Sequence, residues 1–342
     1  MIIIKYASIL LAAALALPAQ AQVIPNSRSW YLHWRNDKEV RQYVLEVGRG
    51  PTVVVIHGGF GAEHSYLLEP LVPLTSNYRM VFYDQRGSLR SPAGNKEISL
   101  SKLVDDLEAL RQQLGEEKLV LLTHSMGAAT AMGYLMRYPE RVRGLVLTAP
   151  MVPAEGERSA LEAPLDPDLL TPEEQAQADA RFAAFWAGEQ QRVAQVKARL
   201  APAPSSTAGS DRYLTDQWHI EFGGVNLYHV ERWSQVMGGK NLFKQEVADA
   251  IMADREAWQR WLKGFRPALA SFRGPVDVVM GDTDFTDPGA GLWRKVLQRV
   301  GNAKLTVLPE AGHAYWIDQP GLSHGALEAA LQHAFEPAGG KR

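Results

Sequence analysis

Leu119-Val120-Leu121-Leu122-Thr123-His124-Ser125-Met126-Gly127-Ala128-Ala129-Thr130 is the stretch on which the fold turns. An apolar run long enough for one buried strand breaks at Ser125, and small residues that suit a closely packed helix follow at once. A sharp strand-to-helix turn of this kind, a nucleophile elbow, holds a side-chain hydroxyl clear of a sheet. Small neighbours are required because the strand and helix backbones approach closely there. Gly127 supplies one flank, and Thr123 stands where the usual pattern has glycine. Ordinary strand-to-helix loops share this pattern, so its chemical meaning depends on whether other strands deliver a base, an acid and backbone donors.

Working outward from Ser125, Thr52–Ile56, Leu145–Thr148 and, after Arg79, Met80–Tyr83 are further continuous apolar or β-branched runs, and Val276–Met280, interrupted at Asp277, resumes the sheet. Such runs mark strands buried on both faces of a parallel sheet. Trp30–Trp34 and Arg41–Val47 alternate instead, as strands leading into the core do, and Lys304–Leu308 adds a last strand. Leu100, Leu103, Val104, Leu107, Leu110 and Leu114 recur at helical spacing up to a stop at Gly115. Further helices are predicted over Met126–Tyr138, closed by Pro139, and over Gly321–Phe335. This alternation specifies an α/β fold, a doubly wound and mostly parallel sheet with helices on both faces. From Met151 to Ser271 no buried strand is evident, while helix formers and Trp186, Trp218, Trp233, Trp258 and Trp261 accumulate. That segment reads as an inserted helical cap, with residues 22–150 and 272–336 as the core and 337–342 as a tail.

Composition bounds the partners. The formal net charge of −2 gives no electrostatic footprint for nucleic acid or an anionic membrane, so a small-molecule or short-peptide substrate is expected. The chain has no cysteine, which excludes disulfides, thiolate catalysis and Cys-ligated metal. Neither a phosphate-binding Gly-x-x-x-x-Gly-Lys loop nor a His-Glu-x-x-His zinc motif occurs, and no cofactor or metal is expected. Met1–Ala21 reads as an export leader, with Lys5, an apolar run over Ile9–Leu17 and an Ala19-Gln20-Ala21 cleavage site. The run is shorter than the roughly 20 residues needed to span a bilayer, so no membrane anchor is expected after cleavage. The mature chain is expected in the periplasm or secreted.

A serine hydroxyl needs a neighbouring base, and that base an orienting acid. On a parallel sheet these groups belong at the carboxyl ends of strands. Ser125, the Gly281-Asp282-Thr283-Asp284 turn and Ala311-Gly312-His313 each follow a strand, in the order serine, acid, histidine. Together with His57-Gly58-Gly59 and Asp84-Gln85-Arg86-Gly87, they resemble an α/β-hydrolase of the peptidase S33 type, with a helical cap. The likeness covers nearly all the chain after the leader except the cap. It implies a Ser125, Asp284, His313 triad, with Asp282 as the main rival acid and Asp287 as a turn residue. It also implies an oxyanion site at the Gly59 and Met126 amides. His57 is expected to order its own loop, Asp84 and Arg86 to brace loops beside the site, and His324 and His333 to lie on the surface of the last helix.

Substrate reading rests on the same resemblance. Asp84-Gln85-Arg86-Gly87-Ser88-Leu89-Arg90-Ser91 is similar to the Asp-Gln-Arg-Gly-Ser-Gly-Arg-Ser stretch of proline iminopeptidases, with Leu89 in place of a glycine. His57-Gly58-Gly59-Phe60-Gly61 differs from their pattern at Phe60, which would line the pocket. The elbow, by contrast, is closer to esterases and lipases. A proline iminopeptidase-like hydrolase is therefore expected, with an esterase or lactonase as the alternative and a non-catalytic binding protein as a third. Glu221 and Glu231 are the cap carboxylates that would meet a substrate amine, while cap histidines His219 and His229 are more often packing or surface residues.

Overall fold

Strands that bury both faces divide their side chains between two cores, and β3 (Thr52–Ile56) does so residue by residue. Val54 and Ile56 enter one apolar cluster, and Val53 and Val55 the other. The computed structural model describes residues 26–33, 41–151, 170–199, 210, 213, 215–216, 223–239 and 243–336. The leader at Met1–Ala21, Glu221, Trp218, His219 and the tail over 337–342 lie outside these residues.

Among the described residues, eight strands form one sheet in the order β1-β2-β4-β3-β5-β6-β7-β8. β1 (Ser27–His33) and β2 (Arg41–Val47) pair antiparallel, and β2 pairs antiparallel with β4 (Arg79–Tyr83). All later pairings are parallel, through β5 (Leu119–His124), β6 (Val142–Thr148), β7 (Val276–Gly281) and β8 (Ala303–Leu308). After β3 the chain adds β4 on one side and β5 on the other. That reversal opens a crevice at the carboxyl ends of β3 and β5, the place where α/β sheets bind ligands.

Helices cover both faces. α1 (Leu100–Leu114) begins at Ser99, whose hydroxyl accepts from Lys102 N at 3.3 Å, and ends at Gly115 with φ of 72°, as its spacing predicts. α2 (Gly127–Arg137) follows the elbow, while α3 (Pro172–Arg199), α4 (Gln245–Met252) and α5 (Arg255–Ser271) lie within 151–271. α5 packs on α2: Trp261 is buried in the larger core, and its indole donates to the Ala129 carbonyl at 3.0 Å. α6 (Gly291–Leu297) and α7 (Pro320–Ala334) complete the layers. No helix among the described residues is long and apolar enough to cross a membrane.

His333 departs from expectation. It is buried under α7 rather than on its surface, 2.6 Å from Asp277 Oδ2 and 3.0 Å from Asn302 Oδ1. A partnered imidazole can share an apolar face with Ala330 and Ala334, which spacing alone does not reveal.

Polar contacts also join α1 to α2. Glu108 accepts from Arg111 at 2.7 and 2.8 Å, from the Tyr134 hydroxyl at 2.7 Å and from Gln112 at 2.8 Å. Burial alone would raise its pKa, but these donors outweigh it and hold Glu108 down to about 2, from an ordinary 4.5. A depressed carboxyl pKa stabilises the fold above the unfolded value, and that contribution is lost as pH falls through the folded one. The loss here falls between pH 4.5 and about 2. Glu108→Gln is therefore expected to lower the urea midpoint near pH 7 and to differ less from the parent near pH 3. A gap of the same size at both pH values would rule this out.

Candidate active site

β5 ends at His124, and the chain reverses at Ser125 with φ of 53°. A left-handed conformation is strained for any residue with a Cβ, by about 1–3 kcal/mol, and persists only where its surroundings over-determine it. They do so here. Ser125 N donates to the Thr148 carbonyl of β6 at 3.0 Å, and its own carbonyl accepts from Ala128 N at 3.1 Å. α2 can start so close only because residue 127 is glycine, where a Cβ would stand 2.5 Å from the Ile56 carbonyl and 2.7 Å from that of His57. Thr123 is fully buried, and Thr148 Oγ1 donates to its carbonyl at 2.6 Å.

Two further loops reach the same end of the sheet. After β7, Asp284 is completely buried and its Oδ1 lies 2.9 Å from His313 Nδ1. The same oxygen accepts from Thr286 N at 2.9 Å and from Thr286 Oγ1 at 2.8 Å. Asp282 faces elsewhere, accepting from Glu310 N and Ala311 N at 3.1 Å, so it braces the loop that carries His313. Asp287 caps α6 through Leu292 N and Trp293 N, both at 2.9 Å, and burial raises its pKa to about 7. The His313 ring is flanked by Phe285 at 4.5 Å and by His124 at 4.7 Å. Asp284 and His313 are thus in contact, whereas among the described residues Ser125 Oγ forms no hydrogen bond.

The loop after β3 supplies the remaining side. Its Gly58 would bring a Cβ within 2.7 Å of Ser125 Cβ, so only glycine lets this loop lie against the elbow. Gly59 and Met126 are partly buried while Gly58, Phe60, Ser125 and Gly127 are buried. Among the described residues neither the Gly59 nor the Met126 N–H donates a hydrogen bond. Unpaired amides beside a nucleophile are what an oxyanion requires. His57 orders this loop: Gln85 N donates to its Nε2 at 3.0 Å, and its Nδ1 lies 2.9 Å from the Gly58 carbonyl. Burial lowers its pKa, which keeps the ring neutral.

Asp84 and Arg86 stay behind the site. Arg86 forms a two-point pair with buried Asp106 at 2.6 and 3.0 Å. Asp84 binds His64 Nδ1 at 2.5 Å and accepts from Arg90 N at 3.2 Å. Glu63, His64 and Asp84 bring ligand atoms within 4.8 Å of one another, a grouping that could hold a metal ion. The Arg90 guanidinium already lies 3.0 Å from Glu63 and 3.6 Å from Asp84, so positive charge is supplied there by the protein.

Expectations for substrate residues fare differently. Phe60 is 2% exposed and packs edge-on to Trp258 at 6.0 Å in the larger core, instead of lining an open pocket. Glu231 is 59% exposed and lies 3.4 Å from His229, facing solvent. Within 151–271, the carboxylate buried among the described residues is Glu189 on α3, 2% exposed, with Oε1 2.8 Å from Arg192 and Oε2 without a hydrogen-bond partner among those residues. One turn before it, Trp186 packs on Phe285 at 6.4 Å, which in turn meets His313. Sequence reasoning missed Glu189, although it follows Ala178, Phe182 and Phe185 at helical spacing on one face of α3, and that periodicity is the signal that could have found it.

A family model described as the alpha/beta hydrolase fold matches residues 51–320. Over 107 residues the chain is 40% identical to a proline iminopeptidase of Saccharolobus solfataricus, a match spanning 30% of this chain and 34% of that enzyme. A proline iminopeptidase-related protein from Thermus thermophilus superposes with a TM-score of 0.61 at 28% identity, covering 91% of this chain and 99% of that one. An esterase from Thermogutta terrifontis gives the same TM-score at 17% identity, over 90% and 100% of the two chains, a likeness of fold.

Proposed function

The chain belongs to the alpha/beta hydrolase family, and from that premise we propose that it is a serine hydrolase working through Ser125, His313 and Asp284, most like a proline iminopeptidase in activity. The observation that carries this reading is the buried 2.9 Å contact between Asp284 Oδ1 and His313 Nδ1 at the sheet end that also holds Ser125. With Nδ1–H donated to Asp284, His313 Nε2 is left as the base that takes the Ser125 proton. Ser125 Oγ then attacks the substrate carbonyl, and the Gly59 and Met126 amides receive the charge on its oxygen. His313 returns the proton to the leaving amine, and water releases the acyl group by the same steps in reverse.

An aminopeptidase must also hold an ammonium. Glu189 is the candidate for that role: its Oε1 is held by Arg192 at 2.8 Å, and among the described residues its buried Oε2 has no hydrogen-bond partner. Trp186 and Phe285 offer an apolar wall between it and His313. The elbow sequence supports the second reading, an esterase or lactonase. Proline and alanine p-nitroanilides compared with p-nitrophenyl acetate and butyrate separate the two, and anilide turnover is expected. Glu189→Gln should raise KM for the anilides by roughly tenfold or more, the worth of a hydrogen bond to a charged group, and leave ester KM unchanged. Ester turnover with no anilide turnover would end the aminopeptidase reading.

A further inference from the structure

Two buried side chains that take no part in the chemistry above join the loops that do. Gly58 N–H donates to the Tyr66 hydroxyl oxygen at 2.7 Å, and that hydroxyl lies 2.8 Å from His124 Nδ1. At the other edge of the imidazole, His124 Nε2 lies 3.4 Å from the His313 carbonyl oxygen. The proton positions follow from what each partner can do. A carbonyl only accepts, so Nε2 carries the ring proton; Nδ1 then accepts from Tyr66, whose lone pair accepts from Gly58. One neutral imidazole satisfies every group in the chain of bonds. Burial above all, with His313 close by, holds the His124 pKa well below the usual histidine range. Tyr66 stacks edge-on to His124 at 5.4 Å, and Trp316 closes the other side at 5.0 Å.

Each end of this relay touches a working part. Gly58 sets the peptide that leads to the Gly59 amide, His313 carries the base, and His124 is joined directly to Ser125. We propose that Tyr66 and His124 are a positioning pair, which fixes the Gly59 amide and the His313 loop at set distances from Ser125. The proposal rests on the serine-hydrolase reading. It differs from a packing role in one respect: a misplacement of about 1 Å at reacting groups can cost on the order of 100-fold in rate without weakening substrate binding.

Tyr66→Phe keeps the ring and removes the hydroxyl, and His124→Asn keeps a polar group near Nδ1 while losing the donor at Nε2. With p-nitrophenyl butyrate as the probe, each is expected to lower kcat by roughly 10- to 100-fold with KM within about twofold. The rate at which a fluorophosphonate labels Ser125 should fall in parallel. Because both changes break one relay, the double variant should lose no more than about threefold beyond the worse single variant. His124→Gln, whose amide reaches the Nε2 position, should recover part of the His124→Asn loss. A kcat and labelling rate within about twofold of the parent in both single variants would overturn the proposal. So would losses that multiply in the double variant and track the melting temperature, which would leave packing alone. Should Tyr66→Phe fold poorly, the two His124 variants decide. Ser125→Ala measured alongside separates the two ideas. Activity retained there sinks the serine-hydrolase reading, whereas its absence beside an unimpaired His124→Asn sinks only the pair.

Discussion

Exchanging Ser125 for alanine is expected to lower kcat by on the order of 10⁶ and to leave the melting temperature within a few degrees of the parent. The rate falls because the acyl group has no acceptor. The residual catalysis, about 10³–10⁴ over water in enzymes of this design, comes from the backbone donors and substrate binding. Stability is spared because Ser125 Oγ forms no hydrogen bond among the described residues, and the left-handed backbone is the same for alanine as for serine. Intact-protein mass measurement after fluorophosphonate treatment supplies the second check: the parent gains one adduct and the variant none. A folded parent that resists labelling would instead favour a non-catalytic binding protein, and turnover in the variant would assign the chemistry to another residue.

The acid is tested by a pair of changes. Asp284→Asn is expected to cost about 10⁴ in kcat, while Asp282→Asn stays within about tenfold of the parent. Asp284 Oδ1 accepts from His313 Nδ1, Thr286 N and Thr286 Oγ1, and Oδ2 is buried with no hydrogen-bond partner among the described residues. An asparagine that keeps oxygen toward Thr286 buries an amide NH₂ with no acceptor, and either orientation removes the charge that stabilises a protonated His313. Asp282 only ties down the amides of Glu310 and Ala311, and one asparagine oxygen preserves half of that. Reversed outcomes in the two variants would exchange the roles of the two aspartates.

The parts of this molecule that were legible in its sequence are those in which a local pattern and a structural requirement coincide. Val53 to Ile56 must be apolar on both sides of the strand, Gly115 must take a positive φ, and Gly127 must clear the carbonyls of Ile56 and His57. The first two demands fall on residues adjacent in the chain, so periodicity and residue type reveal them, and Gly127 is legible only because the elbow pattern itself calls for a small residue there. Contacts between distant segments leave no such trace. Tyr66 and His124 are 58 positions apart, and His333 meets Asp277 across 56. Their partners could be named only once the strands had been placed side by side. The segment 151–271 is the extreme case: Glu231 and Glu189 are alike as residues, yet one faces water and the other is enclosed, with Oε1 2.8 Å from Arg192.

Ser125 sits at a backbone angle that glycine tolerates best. Under the proposed mechanism, folding and reacting therefore ask for different residues at position 125: glycine would relax the turn, but it would remove the hydroxyl that attacks. Durability and turnover are opposed at that single position. A selection for heat resistance that leaves residue 125 free to vary is drawn toward hardy, inactive protein, so the screen must read activity as well as survival.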